Sequence, residues 1–556
     1  MSGPNSQQRW ARFMLGAAVV VTVVGGLSLR LAYLSVSHPH VDEYSTVWAA
    51  LRVIEKGTPL LPSGFLYLQG VLFTYLDAGF IALLGLSEWA ARLPSLLLSV
   101  LTIAVLYAWG RRAFGPWFAL AAATLTALAP DSIVWGGRAR MYALQQTLFV
   151  LALYAFWRGY VHQRRSSGWR WAFASLFVGA LFSQTITVLA LPALAIGLLV
   201  WRRPWRDDRR AIWPLVAVAL GTLVAIWLNH LGGPVSDAAE RAFVALSVPW
   251  QPKPAYFFRE YFWSWPSLLR TLLFLAGSVL FLARGTLFGL MVSTGKGFDP
   301  AQTNEAGTGA RADSIYEGTK ALLFLYAISA GTLLPMFFLV GESWQRPRYL
   351  VMLQPVLDLA AVGVLWYVSS VLTSLAAFRF RSRTRRTGMG LSSGAAPPQA
   401  TPWRHILPGI VMWVCTVAIF LPPAIGAIQP AEPAYDLAFR YIHERWAQGD
   451  AVVGPLPSIP AVYLGRCDGY MLQDGFEEYL VWRHGQPVDR WTGAPLIDSA
   501  EAFERYLGHQ KCVWFAVDSI RWQQRYTLEF RQYIEETMEM VYQAHEVAVY
   551  RYGPKL

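Results

Sequence analysis

Three short stretches of the sequence carry residue types able to do chemistry. The first is Val41-Asp42-Glu43-Tyr44, an adjacent carboxylate pair closely preceded by His38 and His40. A positioned carboxylate can take or orient the proton of a hydroxyl group. The second is Gly136-Gly137-Arg138-Ala139-Arg140-Met141-Tyr142, and the third is Gln345-Arg346-Pro347-Arg348-Tyr349. Guanidinium forks bind phosphate oxygens two at a time. The three stretches together suit a hydroxyl-bearing acceptor at the acids and a lipid phosphate at the arginines. Each also has a plainer reading that the residues leave open. Asp42 can cap a helix that opens near Tyr44, Arg138 and Arg140 can snorkel to lipid head groups, and Trp344 and Tyr349 can be interface aromatics.

The background composition says where such chemistry would happen. The 556 residues are 55% apolar and only 15% charged, against about 25% charged in soluble chains, and the mean hydropathy is +0.34. That is the composition of a polytopic membrane protein. The net charge of +12 comes from basic residues in short loops between apolar runs, the pattern of the positive-inside rule rather than of nucleic-acid binding. Cys415, Cys467 and Cys512 are too few for a disulfide scaffold and lack metal-ligand spacing. Pairing of Cys467 with Cys512 and separate burial of the two are both open.

Arg9 and Arg12 precede an apolar run, Phe13–Leu34, that is too long for a signal-peptide core and reads as a retained first span. Further runs follow at Arg92–Gly110, Pro116–Pro130, Tyr142–Trp157, Trp171–Ser183, Thr185–Trp201, Ala211–Asn229, Ser267–Leu282, Ala321–Val340, Leu350–Leu372 and His405–Ile425. Phe65–Leu86 is also apolar enough to cross. If it crossed, the clusters Arg111-Arg112, Arg158–Arg170, Arg202–Arg210 and Arg379–Arg386 would all face outward. Laid along the outer surface, it leaves all four inside, as the bias of basic residues requires.

The reading is therefore about eleven spans, with the N-terminus cytoplasmic and a transmembrane module over residues 1–428. Its outer loops are Ser35–Glu88, Asp131–Arg140, His230–Pro266 and Gly341–Tyr349, so all three chemical stretches share one side. Gly295–Thr319 and Arg379–Trp403 are flexible cytoplasmic linkers. Residues 429–556 read as a small outward α/β domain. Its helices are expected at Tyr435–Trp446 and around Ala500–Leu507 and Gln523–Glu539, and its strands at Ala451–Gly454, Cys512–Val517 and Glu546–Tyr552.

At this point an ordered series becomes visible: Asp42-Glu43; Pro62-Ser63-Gly64 with Tyr67; Ser87-Glu88-Trp89-Ala90-Ala91-Arg92-Leu93-Pro94-Ser95; Arg111-Arg112-Ala113-Phe114-Gly115; Arg138-Ala139-Arg140-Met141-Tyr142; and Arg348-Tyr349. It resembles the GT-C superfamily of polyprenyl-phosphate-sugar-dependent glycosyltransferases, in the branch of protein O-mannosyltransferases and lipid A aminoarabinose transferases. The resemblance covers roughly the first 355 residues. It implies a membrane all-α fold with juxtamembrane helices in the first outer loop, Asp42 as catalytic base and Glu43 beside it. It further implies that Arg138, Arg140 and Tyr142, with Arg346 and Arg348, meet the donor phosphate, and that Tyr67, Gln69 and Tyr349 contact donor or acceptor. Gln69 is a departure, because members often carry a Lys or Arg near this place.

The reaction implied is an inverting transfer of a sugar from a polyprenyl phosphate to a protein, lipid or glycan hydroxyl outside the plasma membrane. No metal is required, because arginines can take the phosphate charge, although His38 and His40 beside Asp42 leave a divalent metal as an alternative. Two rival classes remain. One is an oligosaccharide or polymer transferase using a pyrophosphate-linked lipid. The other is a non-catalytic lipid transporter, for which neither repeated halves nor mid-membrane charges are evident.

Overall fold

The computed structural model describes residues 4–161, 166–201, 208–231, 262, 267–279, 306–338, 346–386, 403–430, 432–475, 477–483 and 485–554. Most of the expected outer loop His230–Pro266, part of Gly341–Tyr349, and residues 295–305 and 387–402 of the expected cytoplasmic linkers lie outside the described residues, whereas residues 306–319 and 379–386 of those linkers are helical rather than loop. The membrane module consists of α1 (Pro4–Val36), α2 (Val41–Lys56), α3 (Val71–Leu84), α4 (Glu88–Ala113), α5 (Pro116–Leu128), α6 (Pro130–Gly136), α7 (Tyr142–Phe156), α8 (Ser167–Ser183), α9 (Leu191–Trp201) and α10 (Ile212–Leu231). It continues with α11 (Ser267–Val279), α12 (Ala306–Phe338), α13 (Gln354–Arg386) and α14 (Trp403–Gly426). Among the described residues, six helices are long and apolar enough to cross a bilayer, or seven if α5 and α6 form one broken span. The chain is a multi-pass membrane protein. The other apolar runs expected as spans are also helical, but shorter than that criterion.

The segment on which the expected topology turns forms a short helix. Within Phe65–Leu86 only Val71–Leu84 is helical, 14 residues between Gly70 and Gly85. At about 1.5 Å per residue it reaches roughly 21 Å, short of a hydrocarbon core of about 30 Å. α3 instead packs back against α2 and α4. Gly57, in the left-handed region at φ 75°, ends α2 with its N–H on the Val53 carbonyl and starts the return.

Two local features bring the arginine loop to α1. α5 and α6 meet at 60°, at Ala129-Pro130, where the proline cannot donate to a continuing helix. Gly136 and Gly137 follow. A Cβ on Gly136 would lie 2.5 Å from Ser99 Oγ, and one on Gly137 2.4 Å from Tyr33 Cδ1, so only glycine permits this approach.

Beyond α14, a mixed sheet of six strands runs in the order β5-β2-β1-β6-β8-β7. Its strands are β1 (Ala451–Gly454), β2 (Gly469–Met471), β5 (Leu496–Ile497), β6 (Val513–Asp518), β7 (Glu539–Ala544) and β8 (Val547–Tyr552), with β3 (Leu480–Arg483) and β4 (Gln486–Asp489) as a separate hairpin. The central pair β1 and β6 is parallel, with Val452 opposite Trp514, and every residue of both is buried. That explains their continuous apolar reading in sequence. Helix α15 (Tyr435–Arg445) covers one face with Phe439 and Ile442, and helices Ala500–Leu507 and Leu528–Thr537 cover the other with Phe503, Phe530 and Ile534. Cys467 and Cys512 are both free and buried, so they do not pair.

This domain rests on α2. Tyr44 belongs to the α15 core cluster, and the Trp48 indole N–H donates to the Trp491 carbonyl at 3.0 Å. Arg483 donates to the Pro62 carbonyl at 3.1 Å, and the Ser63 hydroxyl to that of Arg490.

Candidate active site

α2 opens at Val41, and its cap is His40 rather than Asp42. His40 Nδ1 accepts from the Asp42 N–H at 3.1 Å, while Glu43 Oε1 accepts from the His40 N–H at 2.7 Å. This is a capping box with histidine in the place of a serine. Asp42 thus stands in the first turn with its carboxylate released from capping, which corrects the plainer of the two sequence readings. Accepting a hydrogen bond at Nδ1 suits a neutral imidazole. Burial, then Arg138, lowers His40 to about 4 against the opposing pull of Asp42 and Glu43.

The two acids have different surroundings. Glu43 is 2% exposed and accepts from Arg92 Nε at 2.8 Å, Arg92 Nη2 at 3.0 Å and the Ala139 N–H at 2.7 Å. Burial opposes its charge, but Arg92 and that N–H outweigh it and hold Glu43 below the usual carboxylate range. Arg92 also donates to the Ser37 carbonyl at 2.9 Å. Glu43 therefore ties α2, α4 and the arginine loop together and has little freedom to react.

Glu43→Gln is expected to leave Arg92 buried without a counter-ion, at a cost of about 3–5 kcal/mol, read as a lower Tm of the solubilised protein. The pH dependence has a definite sign. Glu43 is depressed in the folded state, so its stabilisation is complete above its unfolded value of about 4.3 and fades as pH falls through the lower folded value. The Gln variant should lack this acid-side loss.

Asp42 remains a third exposed. Its Oδ2 lies 3.1 Å from Arg348 Nη1, 3.8 Å from Arg140 Nη2 and 3.8 Å from His40 Nδ1. Partial burial would raise the carboxyl, but Arg140, then His40, Arg348 and Arg138, overcome it and hold Asp42 at about 2. Arg140 is held in turn: its Nη1 donates to the Asp42 carbonyl at 3.0 Å, Thr46 Oγ1 at 2.8 Å and Tyr67 Oη at 3.1 Å. Its Nε is buried and has no hydrogen-bond partner, as has Arg348 Nε.

Arg138 sits apart from Asp42. It donates to Tyr33 Oη at 3.0 Å and to Glu432 at 2.5 Å, with its guanidinium 4.6 Å from the Trp135 ring centre. Tyr142 lies between Trp135 and Tyr349, with ring centres 4.6 and 6.2 Å away. Arg346 and Gln69 are both exposed, and neither joins the cluster on Asp42. So the structure gathers Asp42, Tyr67, Arg140 and Arg348, lines them with Tyr142 and Tyr349, and leaves Arg346 and Gln69 outside.

Sequence reasoning missed Glu432, a lone acid in the connection to the sheet domain with nothing around it to mark it. It also missed the pairing of Arg92, whose only signal was a charged residue facing inward near the start of a span. Among the described residues no group of three or more His, Cys, Asp or Glu side chains could hold a metal ion.

Such an array can neutralise a phosphate and place it beside a carboxylate. Residues 69–229, from the start of α3 through α10, match the family of dolichyl-phosphate-mannose-protein mannosyltransferases. The whole chain superposes on ArnT from Cupriavidus metallidurans in the apo state, with a TM-score of 0.56 at 16% identity over 97% of this chain and 99% of that one. ArnT bound to undecaprenyl phosphate matches equally, with TM-score 0.56, 16% identity and the same coverage, 97% and 99%. The oligosaccharyltransferase AglB from Archaeoglobus fulgidus, in complex with an inhibitory peptide and a dolichol-phosphate, matches with a TM-score of 0.50 at 12% identity over 91% and 69%. No curated protein matches in sequence. The fold is that of the GT-C glycosyltransferases. Within it, the segment carrying Arg138 and Arg140 bears the sequence signature of the mannosyltransferase family.

Proposed function

We propose that this protein transfers a sugar from a polyprenyl-phosphate donor to a hydroxyl acceptor at the extracytoplasmic face of the plasma membrane. The observation that carries the reading is the Asp42 carboxylate 3.1 Å from Arg348, with Arg140 behind it. An acceptor oxygen attacks the anomeric carbon as Asp42 takes its proton. The bond from that carbon to the phosphate oxygen breaks, and its electron pair leaves on the lipid phosphate. Attack opposite the leaving group inverts the anomeric centre. Negative charge grows on the phosphate in the transition state, where Arg348 and Arg140 stabilise it.

Charge balance favours a monophosphate over a pyrophosphate. Among the described residues, Arg140 and Arg348 face the single carboxylate of Asp42, an excess of one positive charge, while Arg138 is matched by Glu432. A phosphodiester carries one negative charge. The same guanidiniums supply what a divalent metal would otherwise provide. The outward placement is supported by the basic loops and by the short α3. Glu43 acts by holding α2, and the sheet domain by bracing α2 from its other side.

The test is transfer from synthetic polyprenyl-phosphate sugars in proteoliposomes, with mass analysis of surface glycans, glycolipids and proteins of cells with and without the chain. Activity that chelators abolish, or that needs a pyrophosphate donor, would overturn it. The pH profile gives a second check. With Asp42 held at about 2 and His40 at about 4, kcat/KM, which reports the free enzyme, should not fall on the acid side until well below about pH 5. An acid limb centred near pH 6.5, the ordinary value for histidine, would contradict these assignments.

A further inference from the structure

A cavity of about 690 Å³ lies on the Glu43 side of α2, between the start of α4 and the sheet domain. Asp42 does not line it; Glu43, Arg92 and Ala139 form its inner wall. Its roof is one face of α15, carrying Asp436, Arg440, His443 and Glu444. The volume falls within the roughly 300–1,000 Å³ of small-molecule sites.

Its charge is opposite to that of the Asp42 site. Glu43 is matched by Arg92 at 2.8 Å, Glu88 by Arg440 at 2.7 Å, and Asp436 contacts His38 Nδ1 at 2.8 Å. With Glu444 added, the lining carboxylates outnumber the lining arginines, so a phosphate is disfavoured here. The rim is apolar: Val36, Leu86 and Trp89 are 42, 50 and 51% exposed. They lie at or beside the ends of α1 and α4, both long enough to cross the membrane, and so at the level where an acyl chain meets its head group. Carboxylates accept hydrogen bonds from hydroxyls, and the indole of Trp89 offers a flat apolar face.

We infer that this cavity binds a membrane lipid with an uncharged, hydroxyl-rich head group. The site is separate from the one proposed for transfer: Glu43, Arg92 and Ala139 stand between it and Asp42. The positive side of α2 suits an anionic lipid, and the acidic side, next to Glu43, a neutral one.

The full chain in nanodiscs, offered photoactivatable diglucosyl diacylglycerol or phosphatidylglycerol with the reactive group in the tail, tests this. The glycolipid should crosslink around Leu86–Trp89 at least about tenfold more than phosphatidylglycerol. Val462→Trp, which narrows the cavity, and Trp89→Ala, a rim change at an exposed position, should each cut that labelling severalfold while leaving polyprenyl-phosphate binding unchanged. Equal labelling by phosphatidylglycerol, labelling insensitive to both variants, or labelling of this rim by a polyprenyl-phosphate probe would overturn the assignment. Specific rim labelling with a chain that transfers sugar to no acceptor at all would leave the binding site standing and count against the transferase reading instead.

Discussion

Asp42→Asn should lower the transfer rate by roughly 10²–10⁴-fold, the usual contribution of a positioned general base, with the protein still folded. Folding should survive because the capping box uses the Asp42 backbone N–H and the Glu43 side chain, not the Asp42 carboxylate. The substitution has a second expected consequence. In the free protein Asp42 competes with any incoming phosphate for Arg348 and Arg140. Asparagine releases both guanidiniums, so binding of polyprenyl phosphate should become tighter as turnover collapses. Isotope-labelled donor measured in parallel for binding and transfer separates the two effects. Unimpaired transfer by the Asn variant, or donor binding lost along with it, would refute the placement of Asp42 as base beside a phosphate site.

The proposed transfer asks a carboxyl held at about 2 to serve as a base, and so low a value makes a weak one. On that proposal, a phosphate bound to Arg348 and Arg140 would draw the guanidinium charge away from Asp42 and raise the carboxyl toward the range in which it can take a proton.

Arg348→Ala is the second large effect. Removing one charged donor to a developing oxyanion typically costs about 10²–10³-fold in turnover, and Arg348 donates a hydrogen bond to the Asp42 carboxylate at 3.1 Å. Arg348→Lys should restore part of the loss, since it returns the charge but not the planar fork. Arg138→Ala should behave differently, with a lower Tm and a smaller drop in turnover. Its guanidinium is already engaged by Tyr33, Glu432 and Trp135. Kinetics of the three variants on one donor, each with its melting curve, decide the ranking. A loss in Arg138→Ala as deep as in Arg348→Ala, at unchanged Tm, would move the phosphate toward Arg138.

Much of this was legible residue by residue. The strand Ala451–Gly454 and the helix Ala500–Leu507 lie where the continuous apolar run and the helical periodicity place them, because such patterns are local. Gly136-Gly137 ahead of Arg138 is also a local signal, since paired glycines mark a close backbone approach. The cap of α2 was not legible. Histidine seldom caps a helix, and Asp42 had the better claim by propensity alone.

The sequence by itself determined that the chain lives in a membrane, and it singled out an acidic pair and two arginine loops as the residues able to do chemistry. Hydropathy and charge act on each segment separately, so they can be read without a fold. Only the tertiary structure decided which partner each charge would take. Asp42 meets Arg348 across 306 positions of chain, Glu43 meets Arg92 across 49, and Arg138 meets Glu432 across 294. A buried charge must find a counter-charge, but which one it finds depends on helix packing. Adjacent acids on α2 point to different neighbours, which leaves Glu43 locked in the frame and Asp42 open to a ligand.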